Sequence, residues 1–91
     1  METIKYLGEK LSEKVKISPP AARGLLKLAI KDEMGPFKPY FKLKLEDFEL
    51  VIQNSLKIRL VNLNVQESEN VIQYLITELK KVQSLISLGN I

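Results

Sequence analysis

Residues 45 to 60 read LEDFELVIQNSLKIRL, and the fold class turns on how they are taken. As a helix, the segment aligns Leu45, Phe48, Ile52, Leu56 and Leu60 on one stripe, and it places Glu46, Asp47 and Glu49 near the first turn, where the helix dipole favours anions. As strands, Phe48, Leu50 and Ile52 alternate, then Ile58 and Leu60, with Asn54 and Ser55 as a turn. The helical stripe persists over the whole segment while each alternating run is short, so helix is the preferred reading. The alternative is a hairpin within 41–65, which would make the chain α+β.

The flanking segments are helical on the same criterion. Upstream, Ile4, Leu7, Leu11 and Val15 recur at three and four residues, which predicts an amphipathic helix from about Glu2 to Val15. Gly8 weakens that helix by about 1 kcal/mol relative to Ala and suggests the close approach of a neighbour. Ser18 before Pro19 is a start signal, since serine accepts from an orphan amide and proline at the first position loses no hydrogen bond. A second helix follows with Ala22, Leu25, Leu26, Ala29 and Ile30 on one face, ending near Met34 before Gly35 and Pro36. Downstream, Asn64 with Glu67 suggests a capping box and Ser68 is a second candidate start. Val71, Leu75, Leu79, Val82 and Ile86 then predict a long helix ending near Leu88. The result is an all-α domain of four helices. With 91 residues, a single core spanning 1–91 is expected, because two cores would each be too small to offset chain entropy.

Composition narrows the function classes. The chain has no Cys and no His, which removes disulfides, thiolate nucleophiles, cysteine-bound zinc and the commonest general base. No Gly-rich phosphate loop is present, and the acids, Asp32-Glu33 and Glu46-Asp47-Glu49, fall at helix ends where solvated carboxylates are expected. The expectation is a protein that is not an enzyme and takes no cofactor and no metal. No apolar run approaches the ~20 residues of a membrane-spanning helix, and Met1 to Lys10 lacks the apolar centre of a secretory signal. A cytoplasmic location without membrane contact is expected.

The net charge of +3 conceals an uneven distribution. Residues 1 to 44 hold ten Lys/Arg against five Asp/Glu, a balance of +5, and residues 45 to 91 hold four against six, a balance of −2. Such a field attracts an anionic partner or a complementary surface, and it is also what a lysine-rich solvated face looks like.

Within the basic half, Leu11 to Leu28 reads LSEKVKISPPAARGLLKL. It resembles the helix-turn-helix of DNA-binding regulators, with Leu11, Ser12, Val15, Ile17, Ala22 and Leu25 in the places that hold the two helices at a steep crossing. Lys16 stands where the family usually has glycine, and Pro19 and Pro20 open the second helix. The resemblance implies a small DNA-binding protein, a transcriptional regulator for instance, with Lys16, Ser18, Arg23, Lys27 and Lys31 toward the nucleic acid. Cations one turn apart suit phosphates better than base edges, and Arg23 alone suits a bidentate contact to guanine.

A second basic pattern lies in Phe37-Lys38-Pro39-Tyr40-Phe41-Lys42-Leu43-Lys44. Lys38, Tyr40, Lys42 and Lys44 are candidate contacts, since rings interleaved with lysines stack on exposed bases while the cations neutralise the backbone. The plainer reading, which is preferred, has Phe37 and Phe41 anchored in the core, Tyr40 keeping its hydroxyl wet and the lysines in water. A different class of function, a helical interaction module, follows from the last helix, whose Leu75, Leu79, Val82 and Ile86 stripe offers a contact to a second copy or another helical protein.

Overall fold

The computed structural model describes residues 2–82. Helix α1 (Glu2–Val15) ends at Lys16, whose φ of +59° turns the chain. Ser18 then opens α2 (Pro19–Met34): its Oγ accepts from the Ala21 N–H at 3.2 Å, and the two prolines occupy positions whose amides have no helical partner. Gly35 closes α2 with a φ of +87°, and its N–H donates to the Lys31 carbonyl at 2.9 Å.

After a connection containing one short 3₁₀ turn (Tyr40–Lys42), the segment that decided the fold class is helical throughout. It runs as α3 (Leu45–Leu50), a π-helical stretch (Val51–Leu56) and α4 (Lys57–Asn62). No strand occurs among the described residues, so the hairpin alternative is excluded and the domain is all-α. The π stretch has a cause in the spacing. Phe48, Ile52, Leu56 and Leu60 are each four residues apart, and in an α-helix each such step rotates the stripe by about 40°. The wider i→i+5 turn takes up that drift, so that Val51, Ile52, Ser55 and Leu56 all face inward.

Helix α5 (Ser68–Lys81) begins at the second of the two expected starts. Asn64 and Glu67 both have left-handed backbones, φ +59° and +54°, which rules out the capping box between them. Ser68 Oγ instead donates to the Val65 carbonyl at 2.7 Å. The expected continuation of this helix to Leu88 lies outside the described residues.

One core joins the four rods: Leu7 and Leu11 from α1, Ala22, Leu26 and Ile30 from α2, Phe48 and Ile52 with Leu56 and Leu60, and Leu75 and Leu79 from α5. This corrects the expected partner stripe. Leu75, Leu79 and Val82 are buried against their own chain, because a domain this small needs the apolar face of its last helix to complete its core. Ile86, the fourth residue of that stripe, lies outside the described residues. Polar links add specificity. Ser55 Oγ donates to Glu33 Oε1 at 2.7 Å, and Arg59 grips Asp32 through Nε at 2.6 Å and Nη2 at 3.0 Å, fastening α2 to the helix opposite.

Candidate nucleic-acid interface

Helix α2 turns Ala22, Leu26, Ala29 and Ile30 inward, leaving Lys27, Leu28 and Lys31 exposed. Arg23 is only half-exposed, because its aliphatic stem lies across Gly8 of α1. At the helix start the exposed residues are Pro19, Pro20 and Ala21, none of which has a side-chain donor. The cationic part of the outer face is therefore displaced toward the C-terminal end of α2, where the connection begins.

That connection is pinned by Leu43, which is 2% exposed. The 3₁₀ turn before it, Tyr40–Lys42, buries none of its own residues, and Tyr40 stays exposed. Lys42 N–H donates to the Pro39 carbonyl and Leu43 N–H to that of Tyr40, each at 3.1 Å. Phe41 is left outside at 73% exposure, and Phe37, held between Pro36 and Pro39, is 92% exposed. The preferred expectation that these two rings anchor the loop in the core is thereby corrected. Leu43 fills the place that was assigned to them.

Three of the expected contact residues meet here. Lys31, Lys38 and Tyr40 line a cavity of about 150 Å³, together with Ile30, Gly35, Pro36 and Pro39. Lys42 and Lys44 are exposed farther along the same connection, the latter donating its backbone N–H to Asp47 Oδ2 at 2.9 Å. Lys16 and Ser18 are not part of this grouping. They precede α2, whose 16 residues span about 24 Å, so they lie roughly 20 Å from Lys31. Lys16 lines a separate groove of about 740 Å³, with Ile17, Leu25 and Leu60 among its apolar walls and Lys14 and Glu67 of opposite charge on it.

The charge asymmetry acquires structural content from the ion pairs. In the second half, Lys57 pairs with Glu69, Arg59 with Asp32 and Lys81 with Glu78. Arg59 holds the Asp32 carboxyl below the usual carboxylate range. Among the described residues, none of Lys16, Lys27, Lys31, Lys38, Lys42 and Lys44 is in an ion pair. Of these, Lys38 and Lys42 are the sequence neighbours of the exposed rings of Phe37 and Phe41.

No family model, no curated protein and no solved structure matches this chain. The site is accordingly read from its own chemistry. Among the described residues no group of three or more metal-ligating side chains converges, and no helix is long and apolar enough to cross a membrane. The remaining polar cluster, Tyr6 with Glu78, Lys10 and Lys81, ties α1 to α5. Tyr6 Oη donates to Glu78 Oε1 at 2.8 Å, and Lys81 and Lys10 lie at 2.7 and 3.8 Å from its carboxylate. Phe37 and Phe41, absent from the sequence-derived set of contacts, stand exposed on the same connection as Lys38 and Tyr40. The available signal was the interleaving of rings and lysines in Phe37 to Lys44.

Proposed function

We propose that this chain is a non-catalytic nucleic-acid-binding protein of the cytoplasm. Its contact face is the connection from Gly35 to Lys44 together with Lys27 and Lys31 of α2. One observation carries the reading: Lys31, Lys38 and Tyr40 share a cavity beside a phenylalanine that is 92% exposed. Unpaired cations supply the attraction to phosphate and the rings supply planar contact. The left-handed backbone of Lys16, where the helix-turn-helix family usually has glycine, fits the tight corner of that resemblance, but the contact face of this reading lies toward the other end of α2.

The test is a titration of fluorescently labelled oligonucleotide at two salt concentrations, comparing the wild type with Lys31→Glu and Lys38→Glu. Binding should weaken steeply with salt and in both variants. Absence of binding at low salt, or indifference to both substitutions, would refute the proposal.

A second reading, a protein-interaction module, is supported by a different surface. Ile58, Val61 and Leu63, on and just after α4, are exposed apolar residues near one another in sequence. On this reading the partner is a second copy of the chain, and the solution mass, compared between the wild type and Ile58→Glu, decides it: a monomeric wild type at micromolar concentration removes this reading.

A further inference from the structure

We infer that the ligand of this face is an unpaired strand of nucleic acid rather than a duplex. This inference rests on the nucleic-acid reading above and specifies its substrate class.

The rings give the first reason. Phe37 and Phe41 stand 92% and 73% exposed on one short connection. In a duplex the faces of the bases are covered by their neighbours, so a phenyl ring reaches one only by prying a base step apart. An unpaired strand offers a π-face at every nucleotide, and stacking of this kind tolerates any sequence.

The cations give the second. Lys31 and Lys38 wall the same cavity from α2 and from the connection, and Tyr40, at the start of the 3₁₀ turn two residues after Lys38, lines it with them. A phosphate or the edge of a base entering that recess meets ammonium groups from two elements. Lys27 continues the row one turn back along α2, about 6 Å away, and Lys42 continues it beside Phe41. Along the connection charge and ring thus follow one another in sequence, Phe37, Lys38, Tyr40, Phe41 and Lys42, all exposed, which is the composition that tracks a backbone while holding its bases.

The start of α2 gives the third. A helix-turn-helix regulator reads the major groove with the first residues of its second helix. Here those residues are Pro19, Pro20 and Ala21, without side-chain donors, and Arg23 is laid over Gly8. These first three helical residues therefore bring no side-chain donor or acceptor to a base edge.

The experiment measures fluorescence anisotropy at about 50 mM salt with a labelled oligothymidine of about 12 nucleotides, a duplex of the same length and phosphatidylserine vesicles as competitor. The strand should bind at least roughly tenfold tighter than the duplex, and Phe37→Ala and Phe41→Ala should each weaken strand binding by about 5- to 100-fold. Duplex affinity should stay within about twofold in both variants, since it rests on the lysines. Far-UV circular dichroism should be unchanged, because neither ring is packed in the core. Equal or tighter duplex binding, with both variants indifferent, overturns the strand preference and leaves the nucleic-acid reading standing. Binding to neither nucleic acid overturns both, and a ring-dependent affinity for the vesicles alone would reassign the face to an anionic membrane surface.

Discussion

The side-chain stem of Arg23 runs across the bare backbone of Gly8: a β-carbon on residue 8 would lie 2.6 Å from Arg23 Cγ and 3.4 Å from its backbone nitrogen. This contact sets how closely α1 and α2 approach, and it keeps the guanidinium stem off the outer face of α2. Gly8→Ala gains about 1 kcal/mol of helix propensity but overpacks the contact by about 1–3 kcal/mol, so a net loss of about 1 kcal/mol is expected. In an Arg23→Ala background the clash is gone and the same substitution should stabilise. Urea midpoints across the four proteins of this cycle check the reversal of sign; a cycle with additive effects would disprove the contact.

Gly24 is the internal comparison. Nothing lies within 4 Å of the β-carbon it lacks, so Gly24→Ala should stabilise the domain by about 0.5–1 kcal/mol. That corresponds to a rise of a few degrees in Tm, roughly 4–8 °C per kcal/mol for a domain of this size. A lower melting temperature would mean that α2 has a neighbour on that face.

Lys16 holds a left-handed φ of +59° that glycine adopts without steric cost. Lys16→Gly should therefore stabilise by about 1 kcal/mol, read as an upward shift in Tm. Because Lys16 sits roughly 20 Å along α2 from Lys31, the same variant should leave oligonucleotide binding nearly unchanged. A large loss of affinity would move the contact face to the α1–α2 corner.

Salt dependence counts the contacts. Each phosphate neutralised on a single strand contributes about −0.7 to the slope of log K against log salt concentration. Lys31→Gln and Lys38→Gln should each make the slope shallower by about that amount, and Lys57→Gln, paired with Glu69, should not. Equal changes in all three would show that only total charge matters.

Glu78 links pH to stability. Lys81 and Tyr6, by hydrogen bonding, hold its carboxylate below its ordinary value of 4.5, so its contribution is present above that value and is lost as pH falls through the lower, folded one. The hydrogen bond to Glu78 raises Tyr6 above 10.0, so the contribution of the neutral phenol is complete below that value and is lost as pH rises through the folded one. Thermal melts against pH should show Glu78→Gln flattening the acid limb and Tyr6→Phe flattening the alkaline limb. Parallel curves for wild type and variants would exclude this clasp as the origin of either limb.

The bounds of α1 and α2 were legible because periodicity, a capping serine and two prolines are local signals. The fate of Phe37 and Phe41 was not. Both are apolar and adjacent to a helix, and only the docking of Leu43 shows which residue of the connection takes the core position. The stripe of α5 was readable as a stripe, yet spacing carries no mark of whether the covering surface is the same chain or another. Likewise the π-helical stretch follows from steps of four residues, but only once those residues are known to face a single core.

What the sequence by itself determined is the helical character of the chain, the start of α2 at Ser18, and a first half richer in cations than the second. These depend on neighbours within about one turn, where hydrogen bonding and side-chain spacing act directly. Only the tertiary structure decided that Lys57 and Arg59 meet acids of other helices while Lys31 and Lys38 share an open cavity beside exposed rings. Pairing across 27 positions, as between Asp32 and Arg59, exists only after the helices have packed, and so does the solvent exposure of a phenyl ring.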